Sequence, residues 1–528
     1  MRRYPRPGHP ARGIRRVASA LLVAVLAGAL AACAIRPSDA AIGSWRPPAA
    51  APLPALSITT EPPAAAPWPY PGQRFRNDEV SIQARFALLP GTHAFNDRVD
   101  ELVHAAVSQA ETRSGGTYRP QVFEPGAGLG ERGCVDGSAG WPVEELLVDP
   151  RTGPADGTGV AIVCEAVAAF GSVAAQTIRT VVGPSADGAA SDTSVTLYAD
   201  LATGRVVEGR ELWVADAAQR IWSDVVERMR RDAGALSTAP LAQPIPDQLA
   251  LVDAALAHPV VTPDGGIAVP LPPGLTAPEL IGLGVAPTTE PATVVVGGDL
   301  LTATASETGL AFAGMAGEPF AGSAARPAEG VDCTLVACVA LTYDDGPTGL
   351  TGRLLDDLAE RGAPATFFVL GGAARSRAEV VLRALDEGHE IATHTWSHPQ
   401  LPKLTAEEIE KEVRGSAKAI SDLTGVPVTM FRPPYGEVDQ AVLDAAGLPA
   451  VLWDVDTNDW RGRTVEELHA TAVGGSRPGS IVLFHDTTEA SVDAAAGIVD
   501  GLRDRGFSLV TVSHLFGGRV PPGAHRAR

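Results

Sequence analysis

Hydrophobic and polar positions change period along this chain. Val80, Ile82, Ala84 and Phe86 alternate with other residues as in a half-buried strand, and Phe95, Val99, Leu102, Val103 and Ala106 recur at helical spacing. Val195 and Leu197 suggest another strand, followed by a turn around Thr203-Gly204 and a helix from Ala215 to Arg231. Residues 74–315 are therefore expected to form an α+β accessory domain, which the proline-rich break from Ala239 to Pro246 either splits into two lobes or crosses as a long loop. Further on, short apolar runs recur at Val336 to Thr342, Ala365 to Val369, Glu390 to Thr393, Val428 to Arg432, Ala450 to Trp453, Ser480 to Phe484 and Phe507 to Thr511. Helical patterns alternate with them at Leu350 to Glu360, Arg377 to Asp386, Ala406 to Thr424 and Val492 to Arg505. Alternation of this kind calls for a parallel sheet. The expected fold of residues 331–518 is α/β, a distorted (β/α) barrel of about seven parallel strands with its chemistry at the strands' C-terminal ends.

The flanking segments lack such periods. Residues 316–330 read as a linker, and residues 34–73, with Pro37, Pro47, Pro48, Pro52, Pro54, Pro62, Pro63, Pro67, Pro69 and Pro71, read as a tether too rich in proline for helix or central strand. Residues 1–33 read as an export signal: Arg2, Arg3, Arg6, Arg12, Arg15 and Arg16 precede an uncharged run from Val17 to Ala32, which is short for a membrane span. The run ends in Leu30-Ala31-Ala32-Cys33, which resembles the lipobox of bacterial lipoproteins. That resemblance implies lipidation at Cys33 and a protein held by its lipid on the outer face of the cell membrane, on the cell-wall side. An uncleaved anchor, or cleavage at another small residue, is the alternative.

Length and charge narrow the function. A chain of 528 residues suggests about two or three folded units. A formal charge of -20 opposes binding to phosphate backbones, so nucleic acid is not an expected partner. Beyond Cys33, the cysteines Cys134, Cys164, Cys333 and Cys338 suit two disulfides in an oxidising compartment. They allow three pairings, of which the most economical joins Cys134 to Cys164 and Cys333 to Cys338. Without a CxxC pair, zinc binding by these four is disfavoured. His93, His104 and His258 stand alone and carry no constellation.

The chemistry is concentrated late in the chain. Five motifs follow one another: Tyr343-Asp344-Asp345-Gly346-Pro347, His394-Thr395-Trp396-Ser397-His398, Arg432-Pro433-Pro434-Tyr435, Asp456-Thr457-Asn458-Asp459-Trp460 and Leu483-Phe484-His485. Histidines four apart face one side if the segment is helical and, with an aspartate, leave open positions on a divalent ion. Adjacent aspartates at a strand end point in different directions, so one can bind metal while the other takes a proton. Arg432 ends an expected buried strand, where an unpaired guanidinium would be costly.

Residues from about Val331 to Leu515 resemble the polysaccharide deacetylase domain, also called the NodB homology domain or carbohydrate esterase family four, and carry all five of its motifs in order. The resemblance implies Asp344 as general base, with Asp345, His394 and His398 holding a divalent metal, usually zinc. It implies Arg432 as the orienting arginine, the Tyr435 N–H as an oxyanion donor, and Asp459 as support for the acid His485. Trp460, Leu483 and Pro433 would line the pocket for the acetyl group. Tyr343 stands where Phe is common, which keeps an aromatic ring. The implied reaction is metal-dependent removal of N-acetyl groups from cell-surface glycan, peptidoglycan foremost. Chitooligosaccharide or acetylxylan, or glycan binding without catalysis, are the alternatives. The accessory region distantly resembles the extracellular domain that accompanies some cell-wall deacetylases and lysozyme-sensing anti-sigma factors.

Overall fold

The apolar run before the first motif becomes the strand Ala337–Asp344, buried along its whole length, in a computed structural model that describes residues 56–61, 68, 70, 72–91, 94–184, 190–235, 241, 243–322 and 330–528. Cys33 and His93 lie outside the described residues, as do the export signal and most of the proline-rich stretch. Ala337–Asp344 pairs in parallel with Thr366–Val369 on one side and Ile481–His485 on the other. Glu390–Thr393 and Val455–Asp456 extend the sheet at its two edges, while Phe507–Leu509 pairs with the beginning of Ala337–Asp344. Helices Thr351–Glu360, Ala378–Asp386 and Glu489–Asp504 bury their apolar faces, among them Leu354, Leu355, Leu358 and Ile498, against this sheet.

The ring of about seven strands is not regular. The strand expected at Val428 to Arg432 shrinks to single bridges from Phe431 to Thr393 and to Ala450. Prolines at 427, 433 and 434 bracket that run and remove ladder donors. The strand expected at Ala450 to Trp453 divides into Ala450–Val451, paired with Ala524–His525, and Val455–Asp456, paired with Ile481–His485. Among the described residues the sheet is thus an open parallel one completed by bridges, which corrects the expectation of a closed barrel.

Before it, two further sheets form an α+β arrangement. One has six strands, from Gly72–Asn77 to Arg205–Glu208, all antiparallel neighbours except Ile82–Ala87 with Val160–Phe170; the other joins Leu56–Thr59, Ala292–Val296, Ile267–Leu271 and Val260–Val261. Leu56–Thr59 lies inside the expected tether, whose inner end is therefore part of the fold; Trp68 stacks on Phe95, and Tyr70 meets Phe320 edge-on. The expected linker is also partly packed, since Gly171 N–H donates to the Glu318 carbonyl and Ala321 N–H donates to the Gly171 carbonyl. The disulfides are Cys134–Cys164 and Cys333–Cys338.

Residues 54–528 make one compact unit, in which one apolar cluster lies before the expected boundary near residue 330, one after it and one across it. A single apolar cluster runs from Phe75, Phe86 and Val103 to Leu335, Cys338, Val510 and Leu515. Polar bonds cross the same junction. Buried Arg132 donates to Ser508 Oγ at 2.9 Å and to the Phe507 carbonyl, and Asp504 accepts the N–H groups of Gly126 and Gly128 at 2.6 and 2.8 Å. Tyr118 Oη donates to the Leu335 carbonyl, and His104 pairs with Asp332 at 2.9 Å.

Candidate active site

Parallel register sets the site's frame. Asp344 ends its strand opposite Phe368 on one neighbour and His485 on the other, while Asp456 lies opposite Leu483. Arg432 follows the Phe431 bridge and donates its backbone N–H to the Thr393 carbonyl. All five motifs therefore meet at one end of the sheet, around a cleft of about 540 Å³ lined by Asp344, Asp345, His394, His398, Pro433, Tyr435, Trp453, Asp456, Trp460, Leu483, His485 and Thr487.

Arg432 is completely buried and its donors are well used. It donates to Asp344 Oδ1 at 2.8 Å, Thr342 Oγ1 at 2.7 Å, and the carbonyls of Val451 and Leu452 at 3.1 and 3.0 Å, with its guanidinium 4.1 Å over the Phe368 ring. Burial pushes the Asp344 carboxyl above its ordinary value, and Arg432 opposes that push. One Asp344 oxygen is thus tied down, and the other lies 3.8 Å from His394 Nε2.

Asp345, His394 and His398 offer ligand atoms all within 4.8 Å of one another, and Asp345 Oδ1 is 3.5 Å from each histidine Nε2. The residues fit a metal by two further observations. Asp345 Oδ1 is buried without a hydrogen-bond partner, an orphan that a cation would satisfy. His394 Nδ1 lies 2.8 Å from the Arg432 carbonyl, so it donates there and leaves Nε2 as the free lone pair. Burial lowers the His394 pKa to about 3, which keeps the ring neutral as a ligand must be. The histidine pair is not helical, as its spacing had allowed. Asp345, Thr395 and His398 hold φ at 71°, 71° and 63°, and this left-handed backbone turns both rings onto one point, with centroids 4.9 Å apart. Tyr435 and Asn458 share that region at 63° and 52°, so strained backbone clusters where the motifs meet.

On the opposite wall His485 Nδ1 is 2.8 Å from Asp459 Oδ1, and Asp459 Oδ2 accepts the His485 N–H at 2.6 Å and the Ser491 hydroxyl at 2.5 Å. Burial opposes charge on His485, but the Asp459 hydrogen bond and the field of Asp344 outweigh it and raise the pKa to about 9. Asp459 is itself held low despite its burial by these same bonds. Leu483 is buried in the cleft floor, whereas Tyr435 and Trp460 stand at its rim about 60% and 59% exposed.

Sequence reasoning missed Thr342, Ser491 and Trp453. The first two are ordinary hydroxyls whose partners lie far along the chain, and Trp453 stood in what read as a plain strand. Tyr343, read as a neutral replacement for Phe, is buried and stacked between Phe367 and Phe484.

Residues 332–449 match the model of the polysaccharide deacetylase family. A peptidoglycan-N-acetylglucosamine deacetylase of Bacillus cereus is 37% identical over 186 residues, 34% of this chain and 68% of that protein. The chain belongs to the polysaccharide deacetylase family. A peptidoglycan-N-acetylglucosamine deacetylase of Listeria monocytogenes is 39% identical over 189 residues, 35% of this chain but only 40% of the relative's length. Among solved structures, a peptidoglycan deacetylase from Bacillus subtilis is 36% identical and covers 36% of this chain and 93% of that one, with a TM-score of 0.35.

Proposed function

We propose that this family member is an exported, metal-dependent N-deacetylase of cell-surface glycan, acting foremost on N-acetylated peptidoglycan sugars. One observation carries the reading: two pairs of opposite chemistry, buried Asp344 with Arg432 and partly buried His485 with Asp459, flank the Asp345, His394 and His398 cluster. A divalent cation at that cluster, Zn²⁺ in this reading, would polarise the acetyl carbonyl and the attacking water. Asp344 takes the proton from water, with Arg432 fixing its orientation. The Tyr435 N–H donates to the oxygen that gains charge as the carbonyl carbon becomes tetrahedral. Pro433, Leu483 and Trp460 enclose the acetyl methyl. His485, charged at neutral pH, passes its proton to the departing sugar nitrogen, giving a free amine and acetate. The names of the Listeria and Bacillus cereus relatives support peptidoglycan as the substrate class.

Export rests on the sequence of residues 1–33, and membrane attachment on Cys33. Lipid incorporation in the native cell should disappear in Cys33→Ala; incorporation that persists overturns the anchor. For the reaction, the purified protein is incubated with peptidoglycan, chitin oligomers and acetylxylan, and acetate release is measured with products identified by mass. Release from peptidoglycan in preference to the other two supports the reading. Release confined to chitin oligomers or acetylxylan reassigns the substrate, and binding without any release refutes the enzyme.

A further inference from the structure

We propose that Glu412 is a positioning residue for the metal-ligating loop, holding His398 in reach of Asp345 and His394 through the backbone between the two histidines. Glu412 Oε2 accepts the N–H groups of Trp396 at 3.0 Å and Ser397 at 2.9 Å, and Oε1 accepts the Ser397 hydroxyl at 2.8 Å. One carboxylate thereby ties down both residues that precede His398. Charge-assisted bonds to consecutive amides are strong enough to set a short loop's path.

The loop needs such a constraint. Thr395 and His398 both sit in the left-handed region, which residues with a Cβ adopt only when their surroundings enforce it. Other ties act at the loop's beginning: Thr393 Oγ1 donates to Ser416 Oγ at 2.7 Å, and Gly371 N–H donates to the Thr395 carbonyl at 3.0 Å. From Trp396 onward Gly372 N–H donates to the Trp396 carbonyl at 3.3 Å, His398 N–H donates to Thr395 Oγ1 at 3.0 Å and the His398 ring meets Tyr435 edge-on, while the amides of Trp396 and Ser397 are held by Glu412.

Glu412 is also unusually placed. It lies in the π-helical turn Lys411–Gly415, which interrupts the helical run between Ala406–Glu410 and Ser416–Thr424. Such widened turns recur at functional sites because they re-aim a side chain without ending the helix. Here Ile409 before it and Val413 after it stay buried while the Glu412 carboxylate reaches the loop.

This inference rests on the metal reading above, and the experiment separates the two. Zn²⁺ affinity of the metal-free full chain is measured by competition with a chromophoric chelator for the wild type, His398→Ala, Glu412→Ala and Glu412→Gln, alongside thermal unfolding of each metal-free protein. Support is an affinity loss of about 10- to 100-fold in Glu412→Ala, the scale set by groups that orient metal ligands, with metal-free melting close to wild type. Glu412→Gln, which keeps a carbonyl oxygen for the amides, should recover most of the loss. Affinity within twofold of wild type in Glu412→Ala, while His398→Ala binds poorly, overturns the role of Glu412 alone. No Zn²⁺ binding by the wild type overturns the metal reading and this inference together. A loss matched by a fall in metal-free melting, unrelieved by Gln, also refutes positioning.

Discussion

Replacing Arg432 by Met tests the central pair of the site. The guanidinium has no exposed surface and gives four hydrogen bonds, so its loss strands the Asp344 carboxylate and the Val451 and Leu452 carbonyls. Removing one partner of a buried ion pair costs about 3–5 kcal/mol. Against a total stability of roughly 5–15 kcal/mol, the variant should fold but with a clearly lower urea midpoint. In the double variant with Asp344→Asn the stranded charge is gone, so the two losses should fall short of their sum by about 2–3 kcal/mol. Kinetics supply an independent reading. Burial already raises the Asp344 pKa, and Arg432 is the largest influence opposing it, so the acid limb of kcat/KM should move to higher pH in Arg432→Met. Losses that add within about 0.5 kcal/mol, together with an unmoved acid limb, would refute the coupling of base and arginine.

Asp344→Asn should fold and bind metal but release no acetate, whereas His398→Ala should lose metal as well; metal content measured beside acetate release distinguishes them, and full activity in Asp344→Asn removes the base assignment. His485 has a folded pKa raised to about 9, so its partnership stabilises fully below its unfolded value near 6.5 and fades as pH rises through about 9. Asp459→Asn should therefore cost about 2–3 kcal/mol at pH 6 through this linkage and little of it at pH 10, as read from urea unfolding at both pH values. Asp100, half-buried near Asp332, has its pKa raised to about 7 by burial first and by Asp332 second. Its protonated form stabilises at low pH and that contribution is lost as pH rises through about 7, so Asp100→Asn should gain about 1–2 kcal/mol at pH 8, after allowance for solvent screening, and nothing at pH 3. Equal denaturation midpoints at pH 8 would contradict this.

Strands with strong β-branched runs were legible because burial on both faces demands them: Ala337–Asp344, Thr366–Val369 and Ile481–His485 fall within two residues of their expected bounds. Amphipathic helices such as Thr351–Glu360 were legible because one buried apolar face recurs at helical spacing. The long strands Val160–Phe170 and Val173–Val182 were missed, although their alternation is long, because alanine fills many of their positions and gives a weak period. Helix Val465–Gly475 was missed too, although Thr464 and Glu467 form a capping box that marks its start.

Motif chemistry is local, so sequence alone determined which side chains could act: an aspartate with two histidines, a second aspartate, an arginine and a histidine with its carboxylate. Tertiary structure decided what depends on distant contacts. Parallel register put His485 beside Asp344, left-handed backbone rather than a helical turn brought His398 to His394, and the fold placed Thr342, Ser491 and Glu412 behind the motif residues. It also joined the region before residue 315 to the catalytic sheet through one apolar cluster and the buried Arg132. Composition reports how much apolar surface a segment must bury, but only the folded arrangement determines which surface covers it.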